Sequence, residues 1–190
     1  HSGRNPAAWI PHEPKDHIRI GMAHGTVEGI RQDEPDYPIP KDAAQKLELD
    51  YLALGHWHSY ANYAGSDGIS RMAYSGTHET TRFGERDSGN VLIVEITAPK
   101  APPVITCIRT GCFDWVSVEK EVRTQYDLQS IREYIESITS PENTLVEIQL
   151  SGLLLVSGQA ELDHIKQILS SRFLLGSLDV SNLRPSPEDG

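Results

Sequence analysis

Three histidines have the residue type and the spacing that a metal site requires. His24 is followed by a glycine, and one tryptophan separates His56 from His58. Imidazole is the commonest side-chain ligand for metals and suits the transition metals in particular. Residues two apart in an extended segment point to the same side, so His56 and His58 are expected to face one cluster. The alternative is a pair of surface histidines that flank a tryptophan.

The segments that precede these histidines are predicted to be strands. Residues 18–22 alternate between apolar and small or polar types and lead into His24. Residues 51–54 form an apolar run that ends at Gly55, which is typical of a buried strand. If the two strands are adjacent and parallel, their carboxyl ends meet at the sheet edge where ligands usually bind. The pattern predicts one histidine cluster at that edge, against the alternative of a chance arrangement.

The sequence around these histidines resembles a known family. Residues 50–58, Asp-Tyr-Leu-Ala-Leu-Gly-His-Trp-His, resemble the Gly-His-x-His motif of calcineurin-like metallophosphoesterases, in the form found in SbcD-type exonucleases of DNA double-strand-break repair. Residues 22–25 are similar to an isolated histidine motif upstream, and residues 74–77 and 82–85 are similar to stretches that follow. The ordered set spans about residues 17–180 and is far more specific than the Gly-His-x-His motif alone.

The resemblance implies a binuclear metal centre. It assigns His24 and His56 to one divalent ion and His58 to the other, with manganese as the expected metal. In such centres the two ions lie roughly 3.5–4 Å apart, and a metal-bound hydroxide is the expected nucleophile. Asp50 and Tyr74 are expected to support the structure around the site rather than to take part in catalysis.

Two further residues are weak candidates for substrate contact. His78 lies in the loop after Tyr74, and Arg82 carries a guanidinium group that is suited to phosphate. For each of them the interpretation as an ordinary surface residue is favoured over a role in the site. His17 and His164 are expected to have no part in it.

The sequence also departs from the family pattern. The family carries Asp-x-His, Gly-Asp-x-x-Asp-like and Gly-Asn-His-Asp/Glu motifs ahead of the position of His24, and residues 1–23 contain none of them. These motifs supply the bridging carboxylate and further ligands, so three imidazoles would remain without an anionic ligand. We therefore expect a fragment, or one half of a split protein, that binds metal weakly, singly or not at all. Whether this chain is an enzyme by itself stays open, and inactivity is the expectation.

The expected fold class is α+β. Residues 1–110 are predicted to form the second half of a metallophosphoesterase four-layer αββα sandwich, with a partly antiparallel sheet. Residues 111–183 are predicted to form a β-α-β-α-β module similar to the capping domain of the exonucleases, followed by a tail over residues 184–190. Each helix of this module is predicted from a capping side chain and an apolar stripe: Asp127 with Leu128, Ile131, Ile135 and Ile138, and Ser157 with Leu162, Ile165, Ile168 and Leu169.

Composition limits the classes of function and the location. The net charge is −10, and residues 111–190 hold 6 basic and 13 acidic residues, so no basic face for autonomous nucleic-acid binding is evident. No signal peptide and no run of 18 apolar residues occur, so no membrane attachment is expected. Cys107 and Cys112 are expected to be reduced and partly buried, which indicates a cytoplasmic protein.

Three interpretations of function stay open. The first, from the resemblance, is a DNA repair exonuclease subunit that acts on DNA with an SMC-like ATPase as partner. The second is a metallophosphoesterase for small phosphodiesters or phosphoproteins, which the capping-like module disfavours. The third is a non-catalytic binding or assembly module. Because a half sandwich leaves an open face and unpaired strand edges, copies of the chain are expected to associate.

Overall fold

The computed structural model describes residues 3–11, 16–29 and 36–186. The chain divides into two compact units. The first comprises His1–Thr81 and Glu85–Gly111, and the second comprises Arg82–Gly84 and Cys112–Gly190. Over the described part of the chain, no helix is long and apolar enough to cross a membrane.

The first unit is built from short strands and one short helix. In chain order its described elements are β1 (Ile20–His24), β2 (Thr26–Val27), β3 (Pro38–Ile39), α1 (Ala43–Lys46), β4 (Tyr51–Gly55), β5 (Ala61–Ala64), β6 (Ser70–Tyr74), β7 (Asn90–Glu95) and β8 (Val104–Arg109). Four strands form one sheet in the order β1-β4-β6-β5, with β1, β4 and β6 parallel and β5 antiparallel to β6. β2 pairs with β3, and β7 pairs antiparallel with β8. β1 and β4, the strands that lead to His24 and Gly55, are adjacent and parallel, which is the condition under which a histidine cluster at this edge is expected.

The core of the first unit lies on one face of the four-stranded sheet. Leu52 and Leu54 of β4 are in register with Met72 and Tyr74 of β6, and strand alternation places all four on the same side. Together with α1 they belong to a cluster whose buried members are Val27, Ile39, Ala43, Ala44, Leu49, Leu52, Leu54, Met72 and Tyr74. This packing makes the strands a rigid mount for the residues at their ends.

The other surfaces of the first unit leave apolar strand residues exposed. Ile20 and Met22 of β1 are 63% and 77% exposed, and Ile93 of β7 is 51% exposed. β1 is an outermost strand of its sheet, with β4 as its neighbour. Cys107 and Cys112 are both exposed, so the prediction that they are partly buried is wrong.

The second unit is a parallel sheet of three strands with two helices on one face. Its regular elements are β9 (Asp114–Val122), α2 (Gln125–Glu136), β10 (Thr144–Leu154), α3 (Gln159–Arg172) and β11 (Leu175–Pro185), with the strand order β11-β10-β9. The predicted β-α-β-α-β order is confirmed. The predicted apolar stripes are confirmed as core at every position except Ile138, with these helix residues buried: Leu128, Ile131, Ile135, Leu162, Ile165, Ile168 and Leu169. Ile138 lies beyond the end of α2 at Glu136 and is only partly buried against the same core.

The opposite face of this sheet is exposed and acidic. Glu119, Gln149 and Asp179 are register partners that form one row across the three strands. Glu147 lies in the neighbouring row, where the Ser117 hydroxyl donates a hydrogen bond of 2.7 Å to its carboxylate. Because these residues alternate with the buried core positions, their side chains point away from the helices.

Three predicted boundaries in the second unit are wrong. α2 has Thr124 as its N-cap, and Asp127 caps the helix from its third position by accepting the Thr124 N–H at 2.8 Å. α3 begins after Gly158 rather than Ser157, because a 3-10 turn over Val156–Gly158 precedes it. β11 continues to Pro185, so the last strand includes two residues of the predicted tail; residues 187–190 lie outside the described residues.

Candidate functional site

Three parallel strands of the first unit end at the same edge of their sheet. β1 ends at His24, β4 ends at Gly55 directly before His56, and β6 ends at Tyr74. His24 is the register partner of Gly55, and Leu54 is the register partner of Tyr74. In parallel sheets this carboxyl-terminal edge is where ligands bind.

The backbone ties the ends of β1 and β4 together. The Gly25 N–H donates a hydrogen bond to the Gly55 carbonyl oxygen at 3.1 Å. The His24 ring lies over Gly55, where a Cβ would come within 3.0 Å of His24 Nδ1. The rings of His24 and His56 meet edge to face, with centroids 5.3 Å apart and planes at 88°. The structure thus brings two of the three predicted ligands together.

His56 has an unusual backbone conformation. Its φ is 121°, in the region that favours glycine. Such a conformation costs an L-residue about 1–3 kcal/mol and persists where the surrounding structure imposes it, as at active sites and ligand sites. The chain bends at His56 instead of remaining extended. Strand alternation therefore does not place His56 and His58 on the same side, and that prediction is wrong in its reasoning.

His58 has a buried carboxylate as its partner. Its Nδ1 lies 2.6 Å from Oε1 of Glu85, and the Glu85 side chain is only 3% exposed while that of His58 is 47% exposed. Thr81 binds the same carboxylate twice, with its N–H donating to Oε2 at 2.8 Å and its hydroxyl donating to Oε1 at 2.9 Å. Burial acts to raise the pKa of Glu85, but the hydrogen bonds from Thr81 and His58 outweigh it and lower that pKa below its usual value.

The stretch after β6 packs against the backbone of His58. The Thr77 N–H donates to the His58 carbonyl oxygen at 3.0 Å. Gly76 has a φ of 76°, and a Cβ at this position would meet the same carbonyl oxygen at 2.5 Å. Glycine is therefore required here both by its conformation and by the close approach of His58.

Asp50 lies at the other end of β4. Its buried carboxylate accepts the N–H of Arg19 at 2.7 Å and the N–H of Lys100 at 2.5 Å. Because β4 separates it from His56 by the length of a five-residue strand, about 17 Å, Asp50 has a structural role at the opposite sheet edge.

The two weak candidates for substrate contact are surface residues. His78 is exposed, and its carbonyl oxygen accepts a hydrogen bond of 2.7 Å from the Thr110 hydroxyl. Arg82 is exposed and belongs to the short Arg82–Gly84 segment that groups with the second unit, where Phe83 packs against Trp115 with ring centroids 4.8 Å apart. A role in substrate contact therefore stays a prediction for both residues.

The donor set fits part of a metal centre. Two exposed imidazoles at the strand ends suit a transition metal, and His58 offers a third nitrogen beside Glu85. Within residues 3–11, 16–29 and 36–186, however, no group of three or more His, Cys, Asp or Glu side chains is placed to hold one ion. Among the described residues, His24 and His56 therefore form a pair of imidazoles with no carboxylate placed to complete a metal site with them.

Comparison with known proteins adds no relative: no protein-family model matches the chain, and no curated protein matches it.

The residues that support His58 could not be predicted from the sequence. Glu85 lies 27 residues from His58, and Thr81 lies between them, so neither contact has a local sequence signal. The resemblance singled out residues 82–85 as a stretch but gave Glu85 no role.

Proposed function

We propose that this chain contributes part of the active site of a metal-dependent phosphodiesterase, most specifically a DNA repair exonuclease subunit. The observation that carries the proposal is the edge-to-face pair of His24 and His56 at the carboxyl ends of two adjacent parallel strands. The strained backbone at His56 also supports the proposal, because strain of this kind clusters at functional sites.

The chemistry follows from the donor atoms. Divalent ions at such a centre would polarise the phosphoryl oxygens and lower the pKa of a bound water. His24 and His56 would bind one ion and His58 the other, and the Gly25–Gly55 hydrogen bond would hold the first pair in place. Because imidazole is neutral, the carboxylates that neutralise and bridge two ions have to come from outside the described residues.

The finer fold assignment belongs to the same proposal. We infer that the first unit corresponds to the second half of a four-layer αββα sandwich and the second unit to a capping module. The exposed Ile20 and Met22 on the outermost strand β1 support the first assignment, because such residues are normally covered. The β-α-β-α-β order of the second unit supports the other assignment.

The charge of the second unit limits where DNA could bind. Glu119, Glu147 and Asp179 lie on the exposed sheet face, which repels the phosphate backbone. Under this proposal, DNA approaches the strand-end histidines, and positive charge comes from the metal ions or from the partner, for which we propose an SMC-like ATPase.

Hydrolysis of bis(4-nitrophenyl) phosphate with Mn²⁺ tests the proposal. We expect no turnover by this chain alone, and turnover when a second polypeptide that carries the missing Asp-x-His and Gly-Asn-His-Asp/Glu motifs is added. His56→Ala should abolish that turnover, whereas His164→Ala in α3 serves as the matched control and should leave it unchanged. Full activity of the chain alone would show that the ligand set is already complete, and no activity in either form would contradict the enzyme proposal.

A second candidate function is a non-catalytic assembly module. It is favoured by the exposed apolar residues of β1 and of the β7–β8 ladder, among them Ile20, Met22 and Ile93. Apolar strands at a sheet edge are sites of association between chains. Light scattering of the full chain should then show oligomers that Met22→Lys reduces to monomers; a wild-type monomer at all concentrations would contradict this candidate.

A further inference from the structure

His58 and Glu85 form an unequal pair, in which an exposed imidazole meets a buried carboxylate. The Nδ1 of His58 lies 2.6 Å from Glu85 Oε1, which is a short hydrogen bond between a ring nitrogen and a carboxylate oxygen. The carboxylate is 3% exposed, so its charge is stabilised mainly by the groups that donate to it. The buried Glu85 side chain therefore orients the exposed imidazole of His58, and not the reverse.

The Glu85 carboxylate is itself held on both oxygens. The backbone N–H of Thr81 occupies Oε2, and the hydroxyl of Thr81 shares Oε1 with His58. Because both oxygens accept hydrogen bonds from Thr81, the carboxylate presents itself to His58 as an acceptor. It cannot rotate away from His58 without breaking the two bonds from Thr81.

This arrangement determines which nitrogen of His58 carries the proton. Both oxygens of the Glu85 carboxylate already accept hydrogen bonds, so neutral His58 must donate from Nδ1, and its Nε2 is left with a lone pair. A carboxylate on the far side of an imidazole fixes the orientation of the ring, and this pairing is common behind metal-binding histidines. His58 is thereby prepared to bind a cation or to accept a hydrogen bond through Nε2.

We propose that Glu85 is a positioning residue that fixes His58 in the Nδ1–H tautomer and presents Nε2 as its ligand atom, with Thr81 holding Glu85 in place. The inference rests on the proposed function for the identity of the ligand, a divalent metal ion. Its statement about the tautomer concerns the metal-free chain and can be tested separately.

Long-range ¹H–¹⁵N correlation spectra of the full ¹⁵N-labelled chain at pH 8.5 report the tautomer of each histidine. We expect His58 to be in the Nδ1–H form in the wild type. Glu85→Ala should move its population towards Nε2–H, and Glu85→Gln, whose amide oxygen still accepts, should restore much of the Nδ1–H form. An Nε2–H tautomer of His58 in the wild type would overturn the inference, whatever the fold of the variants. A folded Glu85→Ala variant with the wild-type tautomer population at His58 would overturn it as well.

A Zn²⁺ titration of the same samples separates the two proposals. We expect Zn²⁺ to shift the Nε2 resonance of His58 in the wild type, with about 10- to 100-fold weaker binding there in Glu85→Ala, while the responses of His24 and His56 are retained. Equal Zn²⁺ affinity at His58 in both proteins would overturn the positioning role. If no histidine responds to Zn²⁺ while the tautomer is as predicted, the metal proposal fails and the role of Glu85 in orienting His58 stands.

Discussion

The hydroxyl of Tyr74 and the carbonyl oxygen of Gly25 lie 2.5 Å apart, which ties the end of β6 to the turn that follows His24. The same hydroxyl accepts the Val27 N–H at 3.0 Å. Tyr74 is fully buried, so water cannot replace it as a partner for either backbone group. A single side chain therefore fixes the course of the chain directly after a predicted metal ligand.

Tyr74→Phe should lower the free energy of unfolding of the chain by about 2–6 kcal/mol. The substitution keeps the ring but leaves the Gly25 carbonyl and the Val27 N–H buried without their partner, and each such loss costs about 1–3 kcal/mol. Urea unfolding measures the effect. Tyr63→Phe is the matched control, because its ring packs against Tyr74 with centroids 6.0 Å apart and it keeps both bonds intact. Equal losses in the two variants would mean that the Tyr74 hydroxyl stabilises nothing.

Alkaline pH should destabilise the first unit through the same residue. Burial raises the pKa of Tyr74 to about 12, although the hydrogen bond from Val27 acts to lower it. A raised folded-state pKa means that the stabilisation is complete below the unfolded value of about 10 and is lost as pH rises towards 12. Urea unfolding between pH 9 and pH 12 should show this loss in the wild type and a shallower one in Tyr74→Phe. Identical pH profiles of the wild type and Tyr74→Phe would contradict the role of Tyr74 in the alkaline loss of stability.

Gly25→Ala should separate the ends of β1 and β4. A Cβ at this position would lie 2.2 Å from the Tyr37 carbonyl oxygen and 2.9 Å from the Tyr37 Cβ, so the backbone has to shift. We expect a loss of about 1–3 kcal/mol of stability, typical of overpacking. Nuclear Overhauser contacts between the His24 and His56 rings should weaken. Gly3→Ala is the control, since a Cβ there meets nothing within 4 Å. A similar loss of stability in both variants would contradict the prediction.

The start of α2 should be sensitive to acid. The Asp127 carboxylate accepts the N–H groups of Arg123 and Thr124, which lowers its pKa to about 2. Its contribution to stability is present above the unfolded pKa of about 4 and is lost as pH falls towards 2. Amide exchange in α2 should accelerate over that range in the wild type and should already be fast in Asp127→Asn at pH 5. Glu119→Gln removes the same charge without a capping bond and should leave exchange in α2 unchanged.

The regular elements could be predicted from the sequence because they depend on periodicity. The alternation of Val146, Ile148 and Leu150 and the helical spacing of Leu162 and Ile165 each place one face in a core, and these residues are buried. The strands β1 and β4 were predicted from an alternating segment and an apolar run that both lead to a histidine beside a glycine, whereas their parallel pairing was only assumed and comes from the structure. Such patterns are local, so one sequence is enough to recognise them.

The details of the candidate site could not be predicted, because they depend on contacts between residues that are far apart in the sequence. His56 adopts a φ of 121°, which its own residue type disfavours and only the surrounding structure can impose. The Glu85 carboxylate reaches His58 only because the chain folds back over 27 residues. Asp127 was predicted as the N-cap but is the third residue of α2, because Thr124 and Asp127 can both cap the start of a helix and the structure uses both in a capping box.

The most direct test of the metal proposal is paramagnetic broadening of the histidine resonances by substoichiometric Mn²⁺ in the full chain. We predict that the His24 and His56 ring signals broaden together at the lowest Mn²⁺ concentrations, that His58 follows, and that His17 and His164 stay sharp as internal controls. His56→Ala should remove the response at His24. If all histidines broaden equally, or if His24 responds no differently from His164, these residues do not form a metal site and the phosphodiesterase proposal is contradicted.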